Sequence, residues 1–169
     1  LMLIGQGKLK EALQQRAARE GLDNVIFHEP VGKARLAGLM ARTDIGLQIL
    51  ANVPAFYYGT SPNKFFDYIA AGLPVLHNYP GWLADQIVEN ECGFAVPPED
   101  PVAFADALEK AASDRVVLKA MGQRGRALAE REFDRAALAA RWADWVIAAS
   151  PKAADAHQRT LGEHEGVRT

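Results

Sequence analysis

Hydrophobic positions along the chain alternate between short continuous apolar runs and stretches with helical spacing. The first run is residues 1–4, and residues 8–20 follow with leucine and alanine at helical intervals up to Gly21. Further apolar runs lie at 24–28, 44–50, 74–77 and 93–96, and helices are predicted between them, among others at 33–42 and 82–89. Continuously apolar strands that alternate with helices predict an α/β fold with a doubly wound parallel sheet.

Beyond the two prolines at 97 and 98 the pattern is helical only. Residues 102–113, 116–132 and 135–149 are rich in alanine and leucine, and Asp100 and Asp134 stand where the first and last of these helices need an N-cap. Residues 150–169 are polar and show no periodicity. We therefore predict one domain over residues 1–149 with C-terminal helices, and a disordered tail over 150–169.

Composition and charge limit the kinds of partner and location that the chain can have. The chain has 169 residues, 49% of them hydrophobic, which is enough for one domain with a core. A formal net charge of -2 gives no electrostatic reason to expect a nucleic acid partner. Cys92 is the one cysteine and no apolar run reaches the roughly 20 residues of a membrane span, so we expect a cytoplasmic location. The chain begins inside an apolar run, which is typical of a fragment of a longer protein.

The segment 59–76 carries the strongest candidate chemistry. Its pattern is a loop, a short helix, a tight turn and a strand, with Ser61 as the predicted N-cap, Pro62 at the first helical position and Gly72 just past the end. The backbone N–H groups at the start of such a helix suit a phosphate, and Asp67 could accept hydrogen bonds from sugar hydroxyls. An ordinary βαβ crossover is the alternative explanation, in which Ser61, Pro62 and Gly72 only begin and end a helix. Lys64 could contact the phosphate or form an ion pair with Asp67.

Three other loops should lie at the same edge of the sheet, because the carboxyl ends of parallel strands meet there. They are the Gly5–Gly7 turn and residues 28–31 and 78–81. The turn falls short of a dinucleotide fingerprint, since the third glycine position is Lys10, and a plain strand-to-helix turn remains the alternative.

Ser61-Pro-Asn-Lys64, Phe66-Asp67-Tyr68 and Ala70-Ala-Gly72 resemble the donor-nucleotide motif of the group 1 retaining glycosyltransferases, which have the GT-B fold. They are most similar to bacterial members that build O-antigen and capsular polysaccharide. Residues 3–8, 24–31, 39–50 and 91–100 resemble other parts of the same family in the same order. The resemblance implies that residues 1–149 are the Rossmann-like C-terminal half of a GT-B enzyme, without its first strand and helix.

This resemblance implies a nucleotide-sugar donor, expected to be a UDP-sugar, and retaining transfer of a hexosyl or N-acetylhexosaminyl group to a hydroxyl, without a metal or cofactor. Asp67 matches the acidic residue that binds the ribose hydroxyls, where the family usually has glutamate. The first acidic position of the motif matches Gly59, so that carboxylate is absent. The other expected donor-binding residues are Gly59, Thr60, Ser61, Asn63 and Lys64 for the diphosphate, Gly5 and Gly7, and Pro30 and Val31 for the base. No catalytic residue is assigned.

The resemblance also implies partners. An N-terminal half of the same protein would supply the acceptor site, so the chain alone should bind donor weakly and transfer nothing. The absent first strand should leave the sheet incomplete, to be completed by another segment, a rearranged pairing or a second copy of the chain. A lipid-linked acceptor would bring the parent protein to the inner face of the cytoplasmic membrane. The alternatives are a GT-B sugar-nucleotide epimerase and a non-catalytic nucleotide-binding module.

Overall fold

The structure is a computed structural model that describes residues 1–149. The tail predicted over 150–169 lies outside the described residues. The chain divides into two compact units, Leu1–Asp44 and a second unit that begins at Ile45.

The first unit contains two strands and two helices in alternation. They are β1 (Met2–Ile4), α1 (Lys10–Arg19), β2 (Ile26–His28) and α2 (Lys33–Met40). The two strands are parallel, with Met2 opposite Ile26 and Ile4 opposite His28. Gly21, at φ +66°, adopts the left-handed conformation directly after α1, so the chain turns there towards β2.

The second unit is a three-stranded parallel sheet in the order β3-β4-β5 with helices around it. Its elements are β3 (Gly46–Gln48), a short 3₁₀ helix (Pro54–Phe56), α3 (Asn63–Ala70), β4 (Val75–His77), α4 (Trp82–Glu89), β5 (Gly93–Ala95), α5 (Pro101–Ser113), α6 (Arg115–Glu132) and α7 (Arg135–Ala149). The central strand, β4, has a neighbour on each side, and all three of its residues are buried.

The core of this unit lies between the sheet and helices α3, α4 and α6. Its buried residues are Phe65, Ile69, Val75, Leu83, Ile87, Cys92, Leu128 and Ala129. Helix α6 approaches α3 closely at Gly122, where a Cβ would overlap the carbonyl oxygen of Gly72. Glycine at 122 therefore serves close packing, because only a residue without a side chain lets the two backbones touch.

The α/β class with parallel strands and flanking helices is confirmed, and so are the C-terminal helices. The single sheet is not formed within residues 1–149: β1 pairs with β2 alone, and β3 pairs with β4 alone. Among the described residues, β1 and β3 therefore each have one strand neighbour.

The N-terminal ends of α5 and α7 carry the predicted cap residues Asp100 and Asp134. Asp100 accepts a hydrogen bond from the Ala103 amide at 2.9 Å, and Asp134 accepts one from the Ala137 amide at 2.8 Å, so both predicted caps are confirmed. Asp114 caps α6 in the same way, which the sequence analysis missed. None of the helices within residues 1–149 has the length and apolar character needed to cross a bilayer.

Candidate functional site

The start of α3 differs from the sequence prediction. The helix begins at Asn63, and the N-cap is Pro62 in an extended conformation (φ -69°, ψ 133°), so Ser61 is not the N-cap and Pro62 is not the first helical residue. Within residues 1–149, no side-chain capping hydrogen bond is formed at this N-cap. The reason is that the extended conformation favoured by Pro62 delays the helix by one residue and leaves exposed Ser61 out of capping position. An N-terminus without a side-chain cap keeps its amide groups available to an anion.

The side chains predicted for the donor lie on the solvent face of α3. Asn63, Lys64 and Asp67 are exposed, whereas Phe65 and Ile69 point into the core. Asn63 and Asp67 are one helical turn apart and share a face. No ion pair joins Lys64 to Asp67 in the described part of the chain, so the ion pair that the sequence left open as an alternative role for Lys64 is not formed.

The end of α3 was predicted correctly. Gly72, at φ +72°, follows the C-cap residue Ala71, and its amide donates to the carbonyl of Ile69 at 3.0 Å. The amide of Leu73 donates to the carbonyl of Tyr68 at 2.9 Å. These two bonds form a Schellman motif, which directs the chain from α3 into β4.

A long loop connects β3 to α3, and we refer to residues 50–62 as the donor loop. Gly59 and Ser61 are exposed on it, and Thr60 is half-buried. The loop leaves the carboxyl end of β3, the edge where parallel sheets bind ligands, and delivers residues 59–62 to the start of α3. The structure therefore brings the predicted residues 59–64 and Asp67 together on one continuous loop and helix.

Two buried polar side chains end β3 and β4. Gln48 is 1% exposed and His77 is fully buried, and Gln48 Nε2 lies 3.3 Å from His77 Nδ1. Burial lowers the pKa of His77 to about 4, and the neighbouring backbone of Gln48 and Tyr79 offsets only part of that effect. His77 is therefore a neutral core residue at physiological pH.

The first unit places Gly5 and Gly7 in the turn after β1. The Gly5 amide donates to the carbonyl of His28 at 3.2 Å, which ties this turn to the end of β2. Lys10 strengthens the tie, because its Nζ donates to the His28 carbonyl at 3.1 Å and to Glu29 Oε1 at 2.5 Å. Sequence reasoning treated Lys10 only as a missing glycine; a lysine one turn after the glycine turn was the available signal.

Pro30 and Val31 follow β2 after one intervening residue, Glu29, with Pro30 exposed and Val31 half-buried. They lie at the carboxyl edge of the β1–β2 sheet, next in sequence to the Lys10 contact at Glu29. The two units thus each present a set of predicted donor residues at the carboxyl edge of their own sheet.

Residues 1–149 contain no group of three or more histidine, cysteine, aspartate or glutamate side chains that could hold a metal ion. The expectation of a metal-independent reaction stays a prediction.

The sequence pattern of one family, described as "Glycosyl transferases group 1", matches residues 1–114 of the chain. The chain belongs to the group 1 glycosyltransferases. This membership and the parallel α/β architecture agree with the GT-B assignment made from residues 61–72.

Two proteins resemble this glycosyltransferase chain over most of its length. The D-inositol 3-phosphate glycosyltransferase of Streptomyces avermitilis is 32% identical over 170 residues, which cover 96% of this chain and 33% of that protein. The crystal structure of WaaG, a glycosyltransferase involved in lipopolysaccharide biosynthesis, has the same fold, with a TM-score of 0.65, 24% identity, and coverage of 79% of this chain and 34% of WaaG. The chain thus spans about a third of each relative.

Proposed function

We propose that this chain is the donor-binding part of a group 1 glycosyltransferase and that it binds a nucleotide-sugar, specifically a UDP-sugar. The whole protein would transfer a hexosyl or N-acetylhexosaminyl group to a hydroxyl with retention, in polysaccharide or lipopolysaccharide synthesis. Family membership and the likeness to WaaG support this assignment. An acceptor site supplied by the rest of the protein follows from the same proposal, since the chain matches only a third of its relatives.

The observation that carries the proposal is the start of α3. The helix has no side-chain cap, its first turn follows the exposed residues of the donor loop, and Asp67 is exposed one turn further along. A departing nucleoside diphosphate accumulates negative charge, and backbone amides with the positive end of a helix stabilise such charge without a metal. Lys64, which has no ion-pair partner among the described residues, adds a point charge beside them.

Asp67 would accept hydrogen bonds from the two ribose hydroxyls and so fix the position of the donor. In the first unit, residues 28–31 would meet the base through backbone groups, with Gly5 and Gly7 allowing close approach. Gly5 supports this role because its φ of +148° is a conformation that other residues rarely adopt.

Two alternatives differ in chemistry. A sugar-nucleotide epimerase would need an acid and a base facing the sugar, and the solvent face of α3 offers Asp67 as its one carboxylate. A non-catalytic nucleotide-binding module would share the donor site, and the glycine at position 59 is its supporting observation.

A titration of the chain with UDP, followed by ¹H–¹⁵N NMR, tests the donor site. Asp67→Ala should weaken UDP binding at least tenfold, because hydrogen bonds to a carboxylate contribute about 1.5–3 kcal/mol. Asp106→Ala is the matched control, since it also removes an exposed aspartate from a helix of the second unit. Asp67→Glu should retain binding. Equal affinities for the wild type and Asp67→Ala would refute the ribose assignment, and a wild-type chain that does not bind UDP would refute the donor-binding function.

A further inference from the structure

The donor loop is held in place by the segment that follows β4. Residues 78–82, which connect β4 to the first residue of α4, contact the loop along its length. The contacts run in the same direction in both segments, so four residues of this segment meet successively later positions of the loop: Asn78, Tyr79, Gly81 and Trp82.

The first contact is made by Asn78, which is buried. Its side chain bonds both backbone groups of Leu50: the Leu50 amide donates to Asn78 Oδ1 at 2.8 Å, and Asn78 Nδ2 donates to the Leu50 carbonyl at 3.1 Å. The paired residues Gln48 and His77 end the two strands, so the Asn78 amide continues the β3–β4 pairing beyond the strands.

The second contact is made by Tyr79, also buried. Its hydroxyl donates to the carbonyl of Val53 at 2.9 Å, just before the 3₁₀ helix. Its ring meets the ring of Tyr57 edge to face, with the centroids 4.8 Å apart. The middle of the donor loop is therefore fixed by a hydrogen bond and by an aromatic pair.

The last contacts are made by Gly81 and Trp82. Gly81 lies so close to Tyr57 that a Cβ would overlap the Tyr57 carbonyl oxygen, and its φ of +116° favours glycine. Trp82 Nε1 donates to the carbonyl of Thr60 at 3.2 Å. This bond acts directly on the part of the loop that leads into α3.

We propose that Asn78, Tyr79 and Trp82 are positioning residues for donor binding: they hold the donor loop so that the backbone amides of Gly59 and Ser61 face the diphosphate. The proposal rests on the proposed function, because it gives these contacts a role only if the loop binds a nucleotide. Amide groups bind a phosphate tightly when they are already in place, since a mobile loop must lose entropy on binding. None of the three side chains needs to touch the ligand.

Two conservative variants test the proposal in the full chain. Tyr79→Phe keeps the ring and removes the hydroxyl, and Trp82→Phe keeps an aromatic ring and removes the N–H donor. Ser113→Ala is the control for the first, because it removes a hydroxyl that donates to the Lys110 carbonyl at 2.8 Å, at the end of α5 and outside the donor loop. Trp142→Phe is the control for the second, because it removes an exposed indole from α7.

Hydrogen–deuterium exchange reports the order of the donor loop, and NMR titration with UDP reports affinity. Tyr79→Phe and Trp82→Phe should each accelerate amide exchange in residues 50–62 and weaken UDP binding about fivefold, the effect of one lost neutral hydrogen bond. Ser113→Ala and Trp142→Phe should leave both measurements unchanged.

Unchanged loop exchange in both variants would overturn the proposal, and so would faster exchange with unchanged UDP affinity. An equal loss of affinity in Ser113→Ala would also overturn it, because the effect would then follow stability rather than the loop. A wild-type chain that binds no UDP would instead refute the proposed function, and the positioning role with it.

Discussion

Acidification should destabilise the second unit through a single buried imidazole. His77 is fully buried at the end of β4, and burial holds its pKa at about 4, below the ordinary value of 6.5. Between these two values the unfolded chain binds a proton that the folded chain does not bind. The free energy of unfolding therefore falls as the pH falls from 6.5 to 4, and His77 costs nothing above that range.

The magnitude follows from the shift. A difference of about 2.5 pKa units, at about 1.4 kcal/mol per unit, gives a loss of about 3 kcal/mol by pH 4. Small domains have about 5–15 kcal/mol of total stability, so this one group should account for a substantial part of the acid sensitivity.

Urea unfolding at a series of pH values measures the effect. The three tryptophans, Trp82, Trp142 and Trp145, all lie in the second unit, so their fluorescence reports the unit that contains His77. His77→Gln removes the titrating ring and keeps an amide that can bond to Gln48. Carboxylates titrate in both proteins, so the stability difference between wild type and variant isolates the histidine.

That difference should be constant above pH 7 and should change by about 3 kcal/mol between pH 6.5 and 4. A difference that stays level across this range would refute the reasoning. If His77→Gln does not fold, the ring proton of His77 can be titrated by NMR in the wild type, and a midpoint near 6.5 would contradict burial in the neutral form.

Two further predictions concern helices. Gly122→Ala should destabilise the chain by about 1–3 kcal/mol in urea unfolding, because its Cβ would overlap the Gly72 carbonyl. Gly38→Ala in α2 is the control: a Cβ there has open space, so this variant should stabilise the chain by about 0.5–1 kcal/mol. Equal effects of the two substitutions would contradict the close approach of α6 to Gly72. Asp114→Ala should cost about 1 kcal/mol, since Asp114 accepts from the amides of Val116 and Val117 at 3.0 and 2.9 Å, and an unchanged urea midpoint would show that this cap contributes nothing.

The elements that the sequence predicted best have both ends marked by local signals. Helix α4 was predicted with its observed bounds, between Gly81 and the residues before Cys92. Helix α7 was also predicted with its observed bounds, after the cap residue Asp134. The start of α3 has two compatible readings. Either Ser61 is the N-cap and Pro62 the first helical residue, or Pro62 is itself the N-cap. Spacing alone does not decide between them, and the structure selects the second.

Tertiary features escaped prediction for a different reason. The burial of His77 depends on β4 having a strand on each side, which no pattern within Val75–His77 reveals. The contact of residues 78–82 with the donor loop joins positions about 20 to 30 residues apart through carbonyl groups, and carbonyls carry no sequence signature. Sequence reasoning therefore proposed residues 59–67 as donor-binding candidates, which stays a prediction, but it missed what holds them in place.

Gly59 stands where the family motif has a carboxylate, and the structure shows whether the backbone requires a glycine there. The sequence shows that the first carboxylate of the family motif is absent there, and it leaves open whether the backbone demands glycine. A Cβ built on Gly59 meets nothing within 4 Å, and no positive φ constrains it, in contrast to Gly81 and Gly72. The fold therefore accepts a side chain at 59. The needs of folding therefore do not explain the missing carboxylate, and a substitution such as Gly59→Glu can test whether a carboxylate there changes UDP binding.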